Sequence, residues 1–377
     1  MASRTVIYPG KVSQMSASFS TLNLGLTSPL AITGRKIRVA IVGCGRISIN
    51  HFAALSAHSD NIELVGVCDT NPVRMAEAAS QHNVPGYVTI SELLSMSDAD
   101  VIVLATPSGL HARQAIEAAQ AGRHVVTEKP MATRWEDGKR MVEAFDRAGQ
   151  RLFVVKQNRT NSTLQMLKRA VENRRFGRLY MITINVFWTR PQEYYDSEGW
   201  RGKWEFDGGA LMNQASHYVD LLDWIGGPVE SLQAYAGTLA RYIEVEDTGV
   251  ASIKWRSGAL GSLSVTMLTY PKNLEGSVTV LGEKGTARIG GVALNEILHW
   301  EFDSYEPDDD KVNESSYFTN SVYGSGHLRY YGNMIEVLRG KCEPDTDGRE
   351  GLRSLELLTA MYISARDGRR VSLPLEH

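Results

Sequence analysis

Ile37-Arg38-Val39-Ala40-Ile41-Val42-Gly43-Cys44-Gly45-Arg46-Ile47-Ser48 is the stretch that decides the fold. A short, mostly apolar and partly β-branched run reads as a strand covered on both faces, and the residues from Asn50 to Ala57 read as a helix. Between strand and helix, a G-x-G-x-x-G pattern has physical content. Gly43 allows the tight turn and Gly45 allows close approach of a pyrophosphate. The helix amino end supplies N–H groups and positive dipole. Ser48 replaces the third glycine, small enough for close helix packing but a weaker match.

The pattern repeats outward from there: Ile62 to Cys68 as a strand, Pro72 to Gln81 as a helix, then Val101 to Ala105, His111 to Ala121 and His124 to Thr127. Alternation of this kind predicts a doubly wound, mostly parallel α/β sheet of the Rossmann type over residues 36–155. Asp69 ends the second strand 24 residues beyond Gly45. A carboxylate at that place accepts hydrogen bonds from the adenine ribose and repels a 2′-phosphate, so NAD is the expected cofactor. Arg74 nearby leaves room for some NADP tolerance, and Asp69 also suits a helix cap before Asn71-Pro72.

Beyond Lys156 the strands lengthen and hairpin signals appear. Ser257-Gly258 separates two strand-like runs, and Gly282-Glu283-Lys284-Gly285 marks another tight turn. Ala251, Ile253 and Trp255 alternate with Ser252, Lys254 and Arg256, as in an antiparallel sheet with one covered face. A substrate-binding α+β domain with a large, mainly antiparallel open sheet is therefore expected over 156–377. Residues 1–35, rich in Ser, Thr and Gly, read as an N-terminal arm that is disordered or a targeting segment.

Glu128-Lys129-Pro130 closes the apolar run His124-Val125-Val126-Thr127. The proline disfavours helical backbone at Lys129, so the lysine leaves the carboxyl end of its strand, the edge at which open α/β sheets bind ligands. Gly208 to Trp224 reads as one helix carrying Asn213, His217 and Asp220 at i, i+4 and i+7 on a single polar face. Oxidising an alcohol at a nicotinamide requires a hydride acceptor, a group that takes the hydroxyl proton, and stabilisation of the developing oxyanion. Lys129 and His217 both suit the proton, because burial lowers a lysine and histidine titrates near neutrality already.

Composition bounds the alternatives. The chain has 377 residues, 40 Lys and Arg against 43 Asp and Glu, and a formal charge of −3, so it offers no basic field for nucleic acid. Its three cysteines, Cys44, Cys68 and Cys342, are too few and too scattered for a disulfide framework or a zinc site. No metal site is expected. With no long apolar run and no signal-peptide layout, a cytoplasmic protein without membrane contact is expected.

The nucleotide loop, Asp69, Ala105-Thr106-Pro107-Ser108 with His111, Glu128-Lys129-Pro130 and the Asn213 to Asp220 segment together resemble the Gfo/Idh/MocA family of sugar and polyol dehydrogenases. The resemblance covers residues 36–373. It implies a cofactor site of Gly43, Gly45, Arg46, Ile47, Asp69, Thr106, Pro107, Ser108, His111, Glu128, Lys129 and Gln157. It also implies Lys129, His217 and Asn213 as catalytic residues, although the family usually carries an aspartate where Asn213 stands. A homodimer or homotetramer is implied as well. Asn185 to Asp196, Thr266 to Gly276 and Thr319 to His327 resemble a subgroup in particular. These are the 3-dehydrogenases that oxidise UDP-N-acetylglucosaminuronic acid with NAD in bacterial lipopolysaccharide biosynthesis.

Such a substrate carries a carboxylate and a diphosphate. Arg159, Arg190 and Lys272 are its expected cationic partners, beside Lys129, Asn213 and His217, with Arg201 and Lys203 further candidates. Two other readings compete: an inositol or simple-sugar dehydrogenase of the same fold, and an inactive cofactor-binding regulatory protein.

Overall fold

β1 (Ile37–Val42) is sandwiched on both sides, as its mostly apolar run requires: Ile37, Val39, Ala40 and Ile41 expose nothing, and Arg38 alone is partly exposed. The computed structural model describes residues 31–319 and 326–375. Around β1 the chain lays down α1 (Ser48–Ala57), β2 (Ile62–Cys68), α2 (Pro72–His82), β3 (Gly86–Tyr87), α3 (Ile90–Met96) and β4 (Val101–Leu104). Next come α4 (His111–Gln120), β5 (His124–Thr127), α5 (Trp135–Ala148) and β6 (Leu152–Val154). Local chemistry sets the helix starts: Asn71 accepts from the amides of Val73 and Arg74, and Thr89 with Glu92 forms a capping box.

These six strands pair in the order β3-β2-β1-β4-β5-β6, every pair parallel. The order reverses between β1 and β4. Their carboxyl ends therefore open a crevice, the place where a doubly wound sheet binds its ligand. The expected Rossmann sheet is present.

The second half runs α6 (Ser162–Glu172), β7 (Leu179–Phe187), α7 (Gln192–Asp196), α8 (Ser216–Gly226), β8 (Val229–Gly237), β9 (Thr248–Trp255) and β10 (Leu260–Thr266). It continues through β11 (Glu275–Gly282), β12 (Gly285–Gly290), β13 (Glu296–Phe302), α9 (Val312–Ser315), α10 (Gly326–Leu338), α11 (Gly348–Asp367) and β14 (Val371–Ser372). Eight strands pair as β13-β12-β11-β7-β10-β9-β8-β14, antiparallel except for the central β7–β10 pair. The two hairpins fall where their glycines predict. Ala251, Ile253 and Trp255 are buried while Ser252 and Lys254 are exposed, so one face of the sheet is covered and the other open.

A boundary near residue 155 does not separate two independent bodies. α10 returns to the first sheet, where Tyr331, Met334 and Ile335 pack with Ile37, Ile41, Val101 and Leu55 in one buried cluster. α11 packs against α5 and α8 and joins the other face of the first sheet to the core of the second. Part of the expected arm is also held: the Ile32 amide donates to Leu338 O at 2.8 Å, and Arg35 pairs with Asp100. Residues 1–30 of that arm, 320–325 of the Thr319 to His327 segment, and 376–377 lie outside the described residues.

The single helix expected from Gly208 to Trp224 is two pieces. Ala210–Gln214 forms a wide π turn, closed by Ala215 N donating to Ala210 O at 2.8 Å, and α8 starts afresh at Ser216. Neighbouring groups impose the wider turn. Leu211 N donates to Glu246 Oε1 at 2.8 Å and Met212 N to the Tyr362 hydroxyl at 3.2 Å, so the first amides are held from outside. Glu246 is buried, which pushes its carboxyl up to about 7 against the hydrogen bonds it accepts.

Asp220 on α8 anchors the interior. It accepts Arg159 Nε and Nη2 at 2.7 Å each and Ser354 Oγ at 2.7 Å, with Lys156 Nζ at 3.1 Å. Burial alone would raise this carboxyl, but the charges of Lys156 and Arg159 outweigh it and hold it well below the usual range. Lys156 is itself lowered by burial, whereas the pull of Asp220 and Glu350 raises Arg159 despite its burial. Asp220→Asn should cost about 3–5 kcal/mol in denaturant unfolding, because two buried cations lose their counterion. The sign follows from a depressed folded value: the stabilisation is present above about pH 4 and is lost as pH falls below it. The gap between wild type and variant should therefore narrow in acid.

Candidate active site

Everything at the carboxyl edge of the first sheet opens into one cleft of about 1260 Å³. That exceeds the usual volume for one drug-sized ligand and suits two ligands side by side. The nucleotide loop forms one wall. Gly43 sits at φ +96°, and a Cβ there would lie 2.6 Å from Ala105 O, so no other residue fits between β1 and β4. Nothing lies within 4 Å of a Cβ built on Gly45, which faces open cleft where a pyrophosphate would pass. Ser48, in place of the third glycine, is buried and bonds back to Gly45 O at 2.6 Å.

Asp69 lines the same wall and accepts Cys44 N and Asn71 N at 2.8 Å each. Asn71, rather than Asp69, is the side chain that caps α2. Arg74 is drawn across the cleft mouth to Glu198 Oε1 at 2.6 Å, which leaves it less free for a 2′-phosphate. These features fit NAD. Asp69→Ala should weaken NAD binding about tenfold and narrow the preference for NAD over NADP, read by fluorescence titration of both cofactors.

All twelve residues expected at the cofactor line this cleft: Gly43, Gly45, Arg46, Ile47, Asp69, Thr106, Pro107, Ser108, His111, Glu128, Lys129 and Gln157. Two of them have other attachments. His111 places its ring nitrogens 2.9 Å from both Pro130 O and Thr106 O, so the ring is wedged between the Thr106 loop and the Lys129 turn, its one N–H donating to one of the two carbonyls. Glu128 is buried between His51 and His327, each 3.2 Å from Oε1, and accepts Lys129 N at 3.2 Å. Burial would raise Glu128, but the bonds from His327 and His51 hold it well below the usual carboxylate range. Among the described residues this is the group whose side chains stand close enough to share an ion, with ligand atoms within 4.8 Å. They are already bonded to one another, and His51 also to the Tyr331 hydroxyl at 2.8 Å.

Lys129 leaves β5 at the cleft floor. Its Nζ donates to Asn213 O at 2.9 Å and approaches Asn213 Oδ1 at 3.4 Å. Burial lowers the lysine from its ordinary value, while Glu128 and Asp207 pull it back up. His217 stands on the same side of the cleft, and its Nε2 is buried with no hydrogen-bond partner among the described residues. Burial, then the charge of Lys129, hold this imidazole well below its usual value, so it is neutral. A depressed lysine and a neutral histidine are the two groups a hydroxyl proton needs nearby. Asp220, expected on the same face, points instead into the buried ion network.

The expected substrate residues divide. Arg190, Asn213 and His217 line the cleft. Arg159 does not: it is buried with its donors on Asp220 and Glu350, because a guanidinium that deep needs carboxylates of its own. Lys272 and Lys203 are also absent from the lining, where Asn273 stands instead. Arg201 is in the cleft, bonded to the Tyr194 hydroxyl and stacked over the Tyr194 and Trp200 rings. Arg190 and Arg201 donate to Gln214, the Thr189 carbonyl and Tyr194 and make no salt bridge within 4.0 Å among the described residues, although Arg201 acts on the buried Asp207 from further off. Arg113 and Gln214 also line the cleft and were not singled out in the sequence. Position was the only signal for Arg113, two residues after His111 on the first turn of α4.

Fold and cleft together define a dinucleotide-dependent oxidoreductase. The chain belongs to the Gfo/Idh/MocA oxidoreductase family: residues 37–156 match its NAD-binding Rossmann fold and residues 168–373 its C-terminal alpha/beta domain. Among solved structures, the WlbA dehydrogenase from Bordetella pertussis, in complex with NADH and UDP-GlcNAcA, is 66% identical. It superposes with a TM-score of 0.90 over 92% of this chain and 100% of that one. The WlbA dehydrogenase from Chromobacterium violaceum, with the same two ligands, is 63% identical with a TM-score of 0.89, over 92% and 99% of the chains. D-apiose dehydrogenase of Paraburkholderia graminis is 26% identical over 95% of each chain.

Lys129→Met keeps length and removes the charge. It should lower turnover at least about a thousandfold with NAD affinity within about threefold of wild type, measured by steady-state kinetics and cofactor titration.

Proposed function

We propose that the protein oxidises the C3 hydroxyl of UDP-N-acetylglucosaminuronic acid to the 3-keto sugar, with NAD as acceptor. The observation that carries this reading is the pair of cleft arginines, Arg190 and Arg201, held on aromatic faces and donating to neutral groups, with no carboxylate in salt-bridge contact among the described residues. A partly buried guanidinium without a counterion is costly, and an anionic ligand removes that cost. A diphosphate or a uronic carboxylate supplies it; inositol and simple neutral sugars do not. The likeness to two dehydrogenases that hold NADH and UDP-GlcNAcA supports the same substrate class.

NAD bound along the Gly43–Ser48 loop supplies the hydride acceptor. The chain's own work is to place the sugar and move one proton. Lys129, kept low by burial, accepts the hydroxyl proton or holds the oxygen as charge develops, and neutral His217 offers its free ring nitrogen to the same oxygen. Because burial favours the neutral lysine, the acid limb of kcat/KM should lie below the ordinary lysine range, and activity should rise with pH through that limb.

A panel of UDP-sugars and polyols incubated with enzyme and NAD, followed by nicotinamide absorbance, tests the substrate. Turnover confined to UDP-uronic acids is expected; turnover of polyols alone would sink the reading. The open face of the second sheet, with Met181, Val250 and Leu260 exposed, is the surface on which a second copy would build the homodimer or homotetramer. Light scattering should give a multiple of the chain mass. No helix among the described residues is long and apolar enough to cross a membrane, in keeping with action on a soluble nucleotide sugar in the cytoplasm.

A further inference from the structure

Asp207 lies outside the cleft lining, 2% exposed, directly behind Asn213. One oxygen accepts Gly202 N at 2.7 Å, and the other accepts Asn213 Nδ2. A carboxylate of this kind only accepts, so the amide must turn its NH2 towards Asp207 and its oxygen the other way. The other way is Lys129: Asn213 Oδ1 stands 3.4 Å from the ammonium, beside the Asn213 O bond at 2.9 Å. We propose that Asp207 is the positioning residue of the site, fixing the Asn213 amide and lending Lys129, through it, the negative charge that a bare asparagine lacks.

The surroundings make this assignment specific. The groups bearing on Lys129 are Glu128 on its own turn, Asp207, Arg190 and Lys156, and Lys129 in turn acts on His217. Glu128 is occupied by His51, His327 and the Lys129 amide, so its charge is shared. Arg190 and Lys156 both oppose the ammonium. Asp207 is thus the acid in line with the Asn213 amide. Arg201 and Lys129 act on Asp207 in turn, while burial raises its carboxyl. In the oxidation direction Asp207 keeps the lysine as a held hydrogen-bond donor until substrate arrives, which rests on the proposed role of Lys129.

The test reads Lys129 directly. The 13Cε resonances of lysine are titrated by NMR in the full-length protein, with Lys129 assigned by its loss in Lys129→Met. In Asp207→Asn the proton affinity of Lys129 should fall about tenfold, the usual effect of removing one nearby opposite charge. Asp207→Asn combined with Asn213→Asp reverses donor and acceptor within the pair, and should restore the affinity to within about threefold of wild type. The acid limb of kcat/KM should move to lower pH in the single variant and return in the double one. A Lys129 titration in Asp207→Asn within threefold of wild type overturns the inference, and so does a double variant that fails to recover. If the amide does not fold, Asp207→Ser, which still accepts from Gly202 N, is read by the same criteria. Wild-type protein that turns over no UDP-sugar would remove the functional reading alone, since the lysine titration needs no turnover.

Discussion

The hydrogen bond from Lys129 Nζ to Asn213 O, joining residues 84 apart in sequence, is the contact on which the site depends. It holds the end of β5 against the π turn that precedes α8, at the floor of the cleft. A regular helix through this region would use the Asn213 carbonyl for its own ladder. The wider turn, held by Glu246 and Tyr362 from outside, leaves it to face the lysine. The cleft-floor lysine contact and the irregular backbone are therefore one feature, as is common where a π turn interrupts a helix.

Charge is managed in two different ways within a short distance. Arg159 and Lys156 are deep and are neutralised by Asp220 and Glu350. Arg190 and Arg201 are shallower and lie on Trp188, Tyr194 and Trp200 faces, which hold a guanidinium by its cation–π attraction without cancelling its charge. The first pair holds the fold together. The second keeps its field available to whatever enters the cleft.

Sequence alone showed the parts of the fold that are written in local periodicity. The β1 loop, the parallel alternation, both hairpins and the strand-end position of Lys129 follow from residue type over a few positions. What escaped were choices decided by distant neighbours. Arg159 and Arg201 look alike as residues in the second half; only the approach of α8 and α11 shows that one meets Asp220 and the other an open cleft. The break at Ala215 was hidden for the same reason, since Glu246 and Tyr362 come from far along the chain. Asp207 carried no signal at all, because its role is visible only once Asn213 is seen to turn away from it.

α10 crosses back to cover β1 and α1, and Tyr331 reaches His51 within that cover. The dinucleotide half therefore completes part of its own core only with this helix from the end of the chain. Cut free at residue 155, it would present Ile37, Ile41, Val101 and Leu55 to water on one face of its sheet. A lineage that exchanged this half for another by recombination would have to carry the last fifty residues along with it, so cofactor preference in such a chain changes by substitution within the loop rather than by swapping a module.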